Sequence, residues 1–235
     1  MKALLIGAPG SVELVELPRP QPAAGEVAVR VARAGVCATD RRMVARGADP
    51  PRVPGHEGAG FLGDGTPVGI HPDVGCGRCR YCRGGFENRC LDRLSIGIDR
   101  DGALAEWVTI PSDHVVPLDG LAVELAPLLE PLACCLHALH RMEVEPGETV
   151  VVVGAGSMGM LATWALQAAG ARVGVCQRSG PRRELAGELG ADAVMGPRDD
   201  PAAVLDEAPT AVLVAAPGPD ALRWALERVA VGGRV

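Results

Sequence analysis

The sequence has no apolar run long enough to cross a membrane. Hydrophobic residues make up 48% of its 235 residues, but no uninterrupted run reaches the roughly 20 residues of a membrane-spanning helix. The first ten residues carry one charge and reach Pro9 after only a few apolar residues, so they do not resemble a signal peptide. We therefore expect a cytoplasmic protein with no membrane partner.

Lysine is almost absent from the chain. Lys2 is the only lysine, arginine supplies the other basic residues, and the net charge is -6. A chain with this charge is not expected to be a general nucleic-acid binder. It does contain eight cysteines. Without an export signal, these indicate a reducing compartment, where clustered thiols usually bind a metal instead of forming disulfides.

The chain has two unlike halves. Residues 1–120 contain short β-type runs separated by glycine and proline, which predicts an irregular, mostly antiparallel β domain. These runs are Lys2–Ile6, Val12–Leu17, Glu26–Ala34, Glu106–Ile110 and Val115–Pro117. After a helical stretch near Leu125–Arg141, strands and helices alternate, which predicts a parallel sheet with helices on its faces. The strands are Thr149–Val153, Arg172–Cys176 and Ala211–Ala216, and the helices are Ser157–Ala169, Pro181–Leu189 and Asp220–Val229.

A closely spaced set of cysteines lies in the first half: Cys76, Cys79, Cys82 and Cys90. Four thiolates satisfy tetrahedral Zn²⁺, and an all-cysteine site closes the coordination sphere, so the spacing predicts a structural zinc. Disulfides and scattered buried thiols are the alternatives. A nucleic-acid-binding zinc ribbon is a weaker interpretation, because the loop offers only Tyr81 and Phe86 for stacking on bases.

A glycine-rich turn joins the first strand of the second half to its helix. It reads Gly154-Ala-Gly156-Ser157-Met158-Gly159, with a second strand about twenty residues later. In this context the motif predicts a dinucleotide site. Gly154 allows the tight turn, Gly156 lets the pyrophosphate approach the backbone, and Gly159 lets helix and strand pack closely. Amides at the start of the helix would face the pyrophosphate.

The end of the second strand bears on which cofactor binds. Sites that prefer NAD usually place an acid there to hold the ribose 2′-hydroxyl. This chain has Gln177 followed by Arg178. An arginine can pair with a 2′-phosphate, so NADP is favoured over NAD, and dual specificity is an alternative. Arginines that are only solvated surface charges are the plain alternative.

Three further segments are each ambiguous alone. They are Gly35-Val-Cys37-Ala-Thr39-Asp40, Gly55-His56-Glu57-Gly-Ala-Gly60 and Glu130-Pro-Leu-Ala-Cys134. A cysteine or histidine in such a segment is more often a core residue than a metal ligand. Together with the four-cysteine loop, DGALAEWV at 101–108 and the chain from Val150 onward, they resemble the zinc-containing medium-chain dehydrogenase/reductase family. The polyol and threonine dehydrogenase branch is the most similar, because Glu-Pro-Leu begins at residue 130.

The resemblance implies a fold and a set of domains. Residues 1–141 would form a GroES-like irregular β-barrel catalytic domain, with a structural zinc lobe at about 71–93. Residues 142–235 would form a Rossmann doubly wound parallel-sheet domain. The segment from Val229 to Val235 resembles the lead-in to a fifth strand, so we expect a chain truncated at its C-terminus, with Ala211–Ala216 as an apolar edge.

The resemblance also implies roles for the residues of the three segments. Cys37, His56 and Glu130 would bind a catalytic zinc, and three protein ligands leave one position open for substrate. Glu57 would approach the metal during ligand exchange, and Asp40 would accept the second N–H of His56. Cys134 is an alternative third ligand. Thr39 would take the proton of the substrate hydroxyl. Many relatives have a histidine three residues after this position to extend the relay, where this chain has Arg42.

The implied activity is hydride transfer between an alcohol and NAD(P), with two zinc ions per subunit. The substrate would be a secondary alcohol of a polyol, sugar, cyclitol or amino acid, and the protein a homo-oligomer, either dimer or tetramer. A non-catalytic, shortened relative that binds zinc and nucleotide is the alternative. A zinc-free quinone or enoyl reductase is less favoured, because such enzymes lack both sets of metal ligands.

Overall fold

The computed structural model describes all 235 residues, Met1–Val235. The chain forms two compact units, Met1–Glu130 and Pro131–Val235. The boundary expected after residue 141 differs from this division, because the helix that contains Cys135 and Leu139 buries both residues in cores of the second unit. None of the helices is long and apolar enough to cross a membrane.

The first unit is built mainly from antiparallel strands. The strands are β1 (Lys2–Ile6), β2 (Val12–Glu16), β3 (Glu26–Ala34), β4 (Gly58–Phe61), β5 (Pro67–Ile70), β6 (Asp73–Val74), β7 (Leu94–Ser95), β8 (Trp107–Pro111) and β9 (Val115–Pro117). The helices are α1 (Ala38–Arg46) and the short α2 (Arg80–Arg83). One antiparallel sheet has the order β8-β3-β4-β5-β9, while β1 pairs with β2 and β6 pairs with β7.

One face of the five-stranded sheet forms the core of this unit. Val29 on β3, Val68 on β5 and Ile110 on β8 are almost completely buried there. Burial of such apolar surface is the main driving force for folding. Strand β4 approaches β3 so closely that a Cβ atom on Gly60 would lie 2.0 Å from the Arg30 carbonyl oxygen. The small residues of β4 are therefore a packing requirement.

The second unit is a parallel sheet with helices. After α3 (Leu129–Met142), its elements are β10 (Thr149–Val153), α4 (Ser157–Ala168), β11 (Arg172–Cys176), α5 (Gly180–Glu188), β12 (Ala193–Met195), α6 (Pro201–Leu205), β13 (Ala211–Val214) and α7 (Pro219–Arg228). The sheet order is β12-β11-β10-β13, and every pair is parallel. The predicted order of an antiparallel β domain followed by a parallel α/β sheet is therefore confirmed.

Strand β10 is buried on both faces. Val150 and Val152 belong to one core cluster, whereas Val151 and Val153 belong to another. A strand covered on both faces carries an unbroken apolar run, as parallel strands between helices do. The strand at the β13 edge is partly covered, because the Val212 N–H donates to the Arg234 carbonyl oxygen at 2.8 Å.

Candidate functional site

Cys37 and Glu57 are brought together at the end of β3. Cys37 is the N-cap residue of α1, with an extended backbone at φ -86° and ψ 161°. The Gly35 N–H donates to the Glu57 carbonyl oxygen at 2.8 Å. A Cβ atom on Gly35 would lie 2.1 Å from Oε2 of Glu57. The glycine two residues before Cys37 is therefore what allows the Glu57 side chain to lie beside it.

Asp40 ties two segments of this site together. Its side chain is buried, and its Oδ2 accepts the Cys37 N–H at 2.7 Å while its Oδ1 accepts the Gly55 N–H at 3.3 Å. The predicted partner, His56, has its Nδ1 3.7 Å from Oδ1 of Asp40, which is longer than a hydrogen bond. Asp40 thus holds the backbone beside Cys37 and the backbone beside His56 in a fixed register.

The donor atoms of Cys37, His56 and Glu57 all lie within 4.8 Å of one another. His56 is buried, and its Nδ1 has no hydrogen-bond partner. Buried polar atoms of folded proteins are normally satisfied, so the trio is not complete as protein alone. Sulfur, imidazole nitrogen and carboxylate oxygen are the donor types that bind Zn²⁺. The residues therefore fit a zinc ion.

The carboxylates of this site repel one another. Burial raises the pKa of the Glu57 carboxyl above its ordinary value, and the nearby charges of Glu130 and Asp40 raise it further. The charge of His56 and a hydrogen bond with Cys37 oppose this rise. Several acids beside a thiol make a site in which a bound cation would be electrostatically favourable.

Glu130 lies at the second position of α3 and is not in the trio. Its charge nevertheless raises the pKa of Glu57, so the two carboxylates are close enough to interact. Cys134, one helical turn later on α3, is exposed. Glu57, which the resemblance implies only approaches the metal, is the carboxylate of this trio, and the role of Glu130 as third ligand stays a prediction.

Thr39 lies in the first turn of α1 and is half-buried. Its hydroxyl oxygen accepts a hydrogen bond from Nη2 of Arg42 at 2.9 Å. The sequence identified both residues but not this contact. The helix α1 was not predicted, and the signal that would have indicated it is an acid at the third helical position after Cys37, as in a capping box.

The four-cysteine lobe forms a second cluster within the first unit. The sulfurs of Cys76, Cys79, Cys82 and Cys90 lie within 4.8 Å of one another. The Cys82 N–H donates to Sγ of Cys79 and the Cys76 N–H to Sγ of Cys90, both at 3.4 Å. Four converging sulfurs that accept backbone N–H groups suit a closed tetrahedral zinc site.

Backbone amides also act on the acidity of these thiols. Hydrogen bonds from the N–H groups of Arg78 and Cys79 lower the pKa of the Cys76 thiol to about 6. Burial, together with the neighbouring Cys79 thiol, raises the pKa of Cys82 to about 12. The opposite directions reflect four thiols in one small volume, where each charge opposes the next.

The glycine turn of the second unit has the geometry that the motif requires. Gly154 has φ +112°, a left-handed conformation that side chains rarely adopt. A Cβ atom on Gly159 would lie 1.8 Å from the Gly154 carbonyl oxygen. Gly156 is the N-cap of α4, and a Cβ atom there would have no atom within 4 Å. Gly156 therefore borders open space in front of the helix N-terminus, where Ser157 and Met158 are exposed.

Gln177 and Arg178 follow the last residue of β11. Arg178 is exposed, whereas Arg183 is fixed by donating to the carbonyl oxygens of Gln177 at 2.8 Å and Arg178 at 3.0 Å. This contact of Arg183 was not predicted from the sequence. Arg183 braces the loop, so that the side chain of Arg178 is left on the surface beside the strand end.

Comparison with known proteins agrees with this geometry. Residues 23–120 match the family model of the alcohol dehydrogenase GroES-like domain. The chain is 33% identical to an L-threonine 3-dehydrogenase of Saccharopolyspora erythraea, with a match that covers 100% of this chain and 76% of the relative. It is 36% identical to the L-galactonate-5-dehydrogenase of Escherichia coli strain K12 over 70% of this chain. That match spans about half of the relative, 52% of its length.

Solved structures resemble the whole chain. An alcohol dehydrogenase of Escherichia coli CFT073 in complex with NADH is 30% identical with a TM-score of 0.90, and the match covers 100% of this chain and 74% of that one. The NADP-bound structure of a protein from Sinorhizobium meliloti 1021 is 29% identical with a TM-score of 0.91, over 99% and 74% of the two chains. The chain therefore belongs to the zinc-containing medium-chain dehydrogenase/reductase family.

Proposed function

We propose that the protein is a zinc-dependent oxidoreductase that transfers a hydride between an alcohol and NAD(P). The observation that carries this proposal is the convergence of Cys37, His56 and Glu57, whose donor atoms lie within 4.8 Å of one another. A protein that used zinc only for structure would need the four-cysteine lobe alone. The glycine turn before α4 supports the cofactor part of the proposal.

The residues of the first unit would act as follows. Cys37, His56 and Glu130 would hold the catalytic zinc, with Glu57 able to exchange into the site. A bound zinc would polarise the substrate oxygen and lower the pKa of the alcohol. Asp40 fixes the register of the two segments that carry Cys37 and His56. Thr39 would form a hydrogen bond with the substrate oxygen. A bound nicotinamide would accept the hydride, and the residues of this chain would contribute chiefly by positioning the substrate beside it.

The second zinc would be structural. Cys76, Cys79, Cys82 and Cys90 provide four thiolates and leave no position for a substrate. Such an ion stabilises a lobe that has little apolar core of its own, since the residues around these cysteines are mostly exposed. We propose two zinc ions per chain, one for each cluster.

The glycine turn provides a test of cofactor binding with an internal control. Gly156→Ala adds a methyl group to open space, so the Tm should fall by only about 2–4 °C, chiefly because alanine is a poorer N-cap than glycine. The same methyl would obstruct a pyrophosphate, so NADPH binding should weaken about tenfold, which is ~1.4 kcal/mol. Gly159→Ala would instead place its methyl against backbone and destabilise the protein by about 1–3 kcal/mol. Fluorescence titration and thermal unfolding measure both effects. Unchanged NADPH binding by a folded Gly156→Ala variant would remove this turn from the cofactor site.

Arg178 supports a preference for NADP over NAD. Removing it with Arg178→Ala should weaken NADP binding about tenfold, because a charged hydrogen bond to the 2′-phosphate is lost. NAD binding should change by less than about twofold. Arg223→Ala is the control, since Arg223 is exposed on α7 and pairs with Asp220. Equal losses for NADP and NAD would show that Arg178 does not read the 2′-phosphate.

Metal analysis tests the central proposal against its rivals. Two zinc ions per chain fit the dehydrogenase, one fits a non-catalytic zinc- and nucleotide-binding relative, and none fits a zinc-free reductase. An NADP- and NAD-linked oxidation screen over polyols, sugars, cyclitols and amino acids tests the substrate class.

We further propose a homo-oligomer, dimer or tetramer, in a reducing cytoplasm. Light scattering measures the oligomeric state, and fractionation of cells measures the compartment.

A further inference from the structure

The side chains of Thr39 and Arg42 form a pair on one face of α1. Arg42 donates from Nη2 to Oγ1 of Thr39 at 2.9 Å, and the two residues are three positions apart. Thr39 is half-buried and Arg42 is exposed. Thr39 lies two residues after Cys37, a member of the metal-ligand trio.

The chemistry of the two groups fixes the direction of this hydrogen bond. A guanidinium group has N–H donors but no acceptor, and it stays protonated in proteins. The Thr39 oxygen is therefore the acceptor. A hydroxyl has one hydrogen and two lone pairs, so the hydrogen of Thr39 must point to a partner other than Arg42.

We propose that Arg42 is a positioning residue that fixes Thr39 as a hydrogen-bond donor to the substrate oxygen and closes the proton route through Thr39 to the surface. This inference rests on the proposed function, in which Thr39 contacts the substrate. In alcohol oxidation the carbinol C–H bond breaks and its hydride forms a C–H bond on the nicotinamide. The hydroxyl proton is not passed through Thr39 to Arg42, which has no lone pair to accept it, and it leaves to water. Thr39 therefore stabilises the developing charge on the substrate oxygen.

The plain alternative is a weak surface pair with no effect on the reaction, since pairs three positions apart on a helix contribute little. A second alternative is that Arg42 binds the cofactor directly. The three possibilities differ in whether the effect of Arg42 depends on Thr39. Arg41 is the matched control, because it is the neighbouring arginine on α1 and is also exposed.

A double-mutant cycle on the zinc-loaded protein separates them. Arg42→Met should lower kcat for alcohol oxidation about tenfold, with the KM of the cofactor changed less than about twofold. Arg42→Lys retains a donor and should recover most of kcat, while Arg41→Met should match the wild type. In a Thr39→Val background, adding Arg42→Met should change kcat by less than about twofold, because Arg42 acts only through Thr39. A full tenfold loss in that background, or a raised cofactor KM, would overturn the proposal in favour of cofactor binding.

A second measurement does not require turnover. In the ¹⁵N spectrum of the arginine side chains, the Arg42 signal is assigned by its loss in Arg42→Met. Its N–H hydrogens should exchange with water more slowly in the wild type than in Thr39→Val. Equal exchange rates would overturn the pairing. An active enzyme whose kcat is unchanged in Arg42→Met would contradict the role of Arg42 alone, whereas a zinc-loaded protein that oxidises no alcohol would contradict the proposed function itself.

Discussion

Replacement of Cys37 by serine is expected to remove one of two bound zinc ions and to lower kcat/KM for alcohol oxidation by about 10³-fold or more. The thiolate is the strongest zinc donor of the trio, and serine provides no comparable ligand at neutral pH. A loss of 10³-fold corresponds to ~4 kcal/mol of transition-state stabilisation, which is of the size that a metal ion supplies by polarising a substrate oxygen. Zinc content by mass spectrometry and steady-state kinetics measure the two effects.

Matched variants assign the other ligands of this site. Glu130→Gln should lower zinc affinity, whereas Glu57→Gln should leave two zinc ions bound if Glu57 only exchanges into the site. The reverse result would make Glu57 the resident ligand, in agreement with its place in the trio. Cys134→Ser should retain both ions, since Cys134 is exposed. A Cys37→Ser protein with two zinc ions and normal kinetics would exclude the trio as the catalytic metal site.

Replacement of Cys90 by serine is expected to remove the other zinc ion and to lower the Tm by about 10 °C. Cys90 is the buried member of the four-cysteine lobe. Structural zinc sites contribute directly to folding. A loss of ~3 kcal/mol in a protein of this size lowers the Tm by roughly 10 °C. Thermal unfolding and zinc content provide the measurement, with limited proteolysis expected to cut within residues 71–93.

The catalytic zinc should remain bound in the fraction of the Cys90→Ser protein that folds. The two clusters share no ligand, so Cys90→Ser should leave one zinc ion and a measurable rate at low temperature. Cys134→Ser is the control for loss of a thiol. A Cys90→Ser protein that keeps both ions and its wild-type Tm would show that the lobe does not depend on a four-thiolate zinc.

The fold could be predicted best where apolar residues repeat with a clear period. Glu26–Ala34 and Thr149–Val153 were predicted with the bounds that the structure has, because burial on one face or on both produces a regular pattern of apolar residues. Strand β4 was missed because it is rich in glycine, which disfavours strands. Glycine is required in this strand by a tertiary contact, namely the close approach of Gly60 to the Arg30 carbonyl oxygen.

Helix α1 was missed for a different reason. Of its nine residues, only Asp40 and Met43 are buried, so it has almost no apolar period to detect. What holds its start is the Asp40 carboxylate on the Cys37 N–H. The contact between Thr39 and Arg42 depends on this helix. Because the helix was not predicted, the sequence analysis could not place the two side chains together.

The site was predicted in composition but not in arrangement. The motifs named Cys37, His56 and Glu57, and the structure brings their donor atoms together. Spacing along the chain could not show that the carboxylate of Glu57 lies within 4.8 Å of the donor atoms of both Cys37 and His56. That relation depends on Gly35, which leaves room for the Glu57 side chain.

The contacts of Asp40 have a consequence for how freely the surrounding sequence can change. Its two oxygens bind backbone N–H groups of Cys37 and Gly55, and every residue except proline offers such a group. The side chain of Val36, which precedes Cys37 and is 68% exposed, can therefore be exchanged without loosening the register of the metal ligands. A site held in this way permits its exposed neighbours to diverge, whereas replacement of the buried Asp40 carboxylate would remove both hydrogen bonds at once.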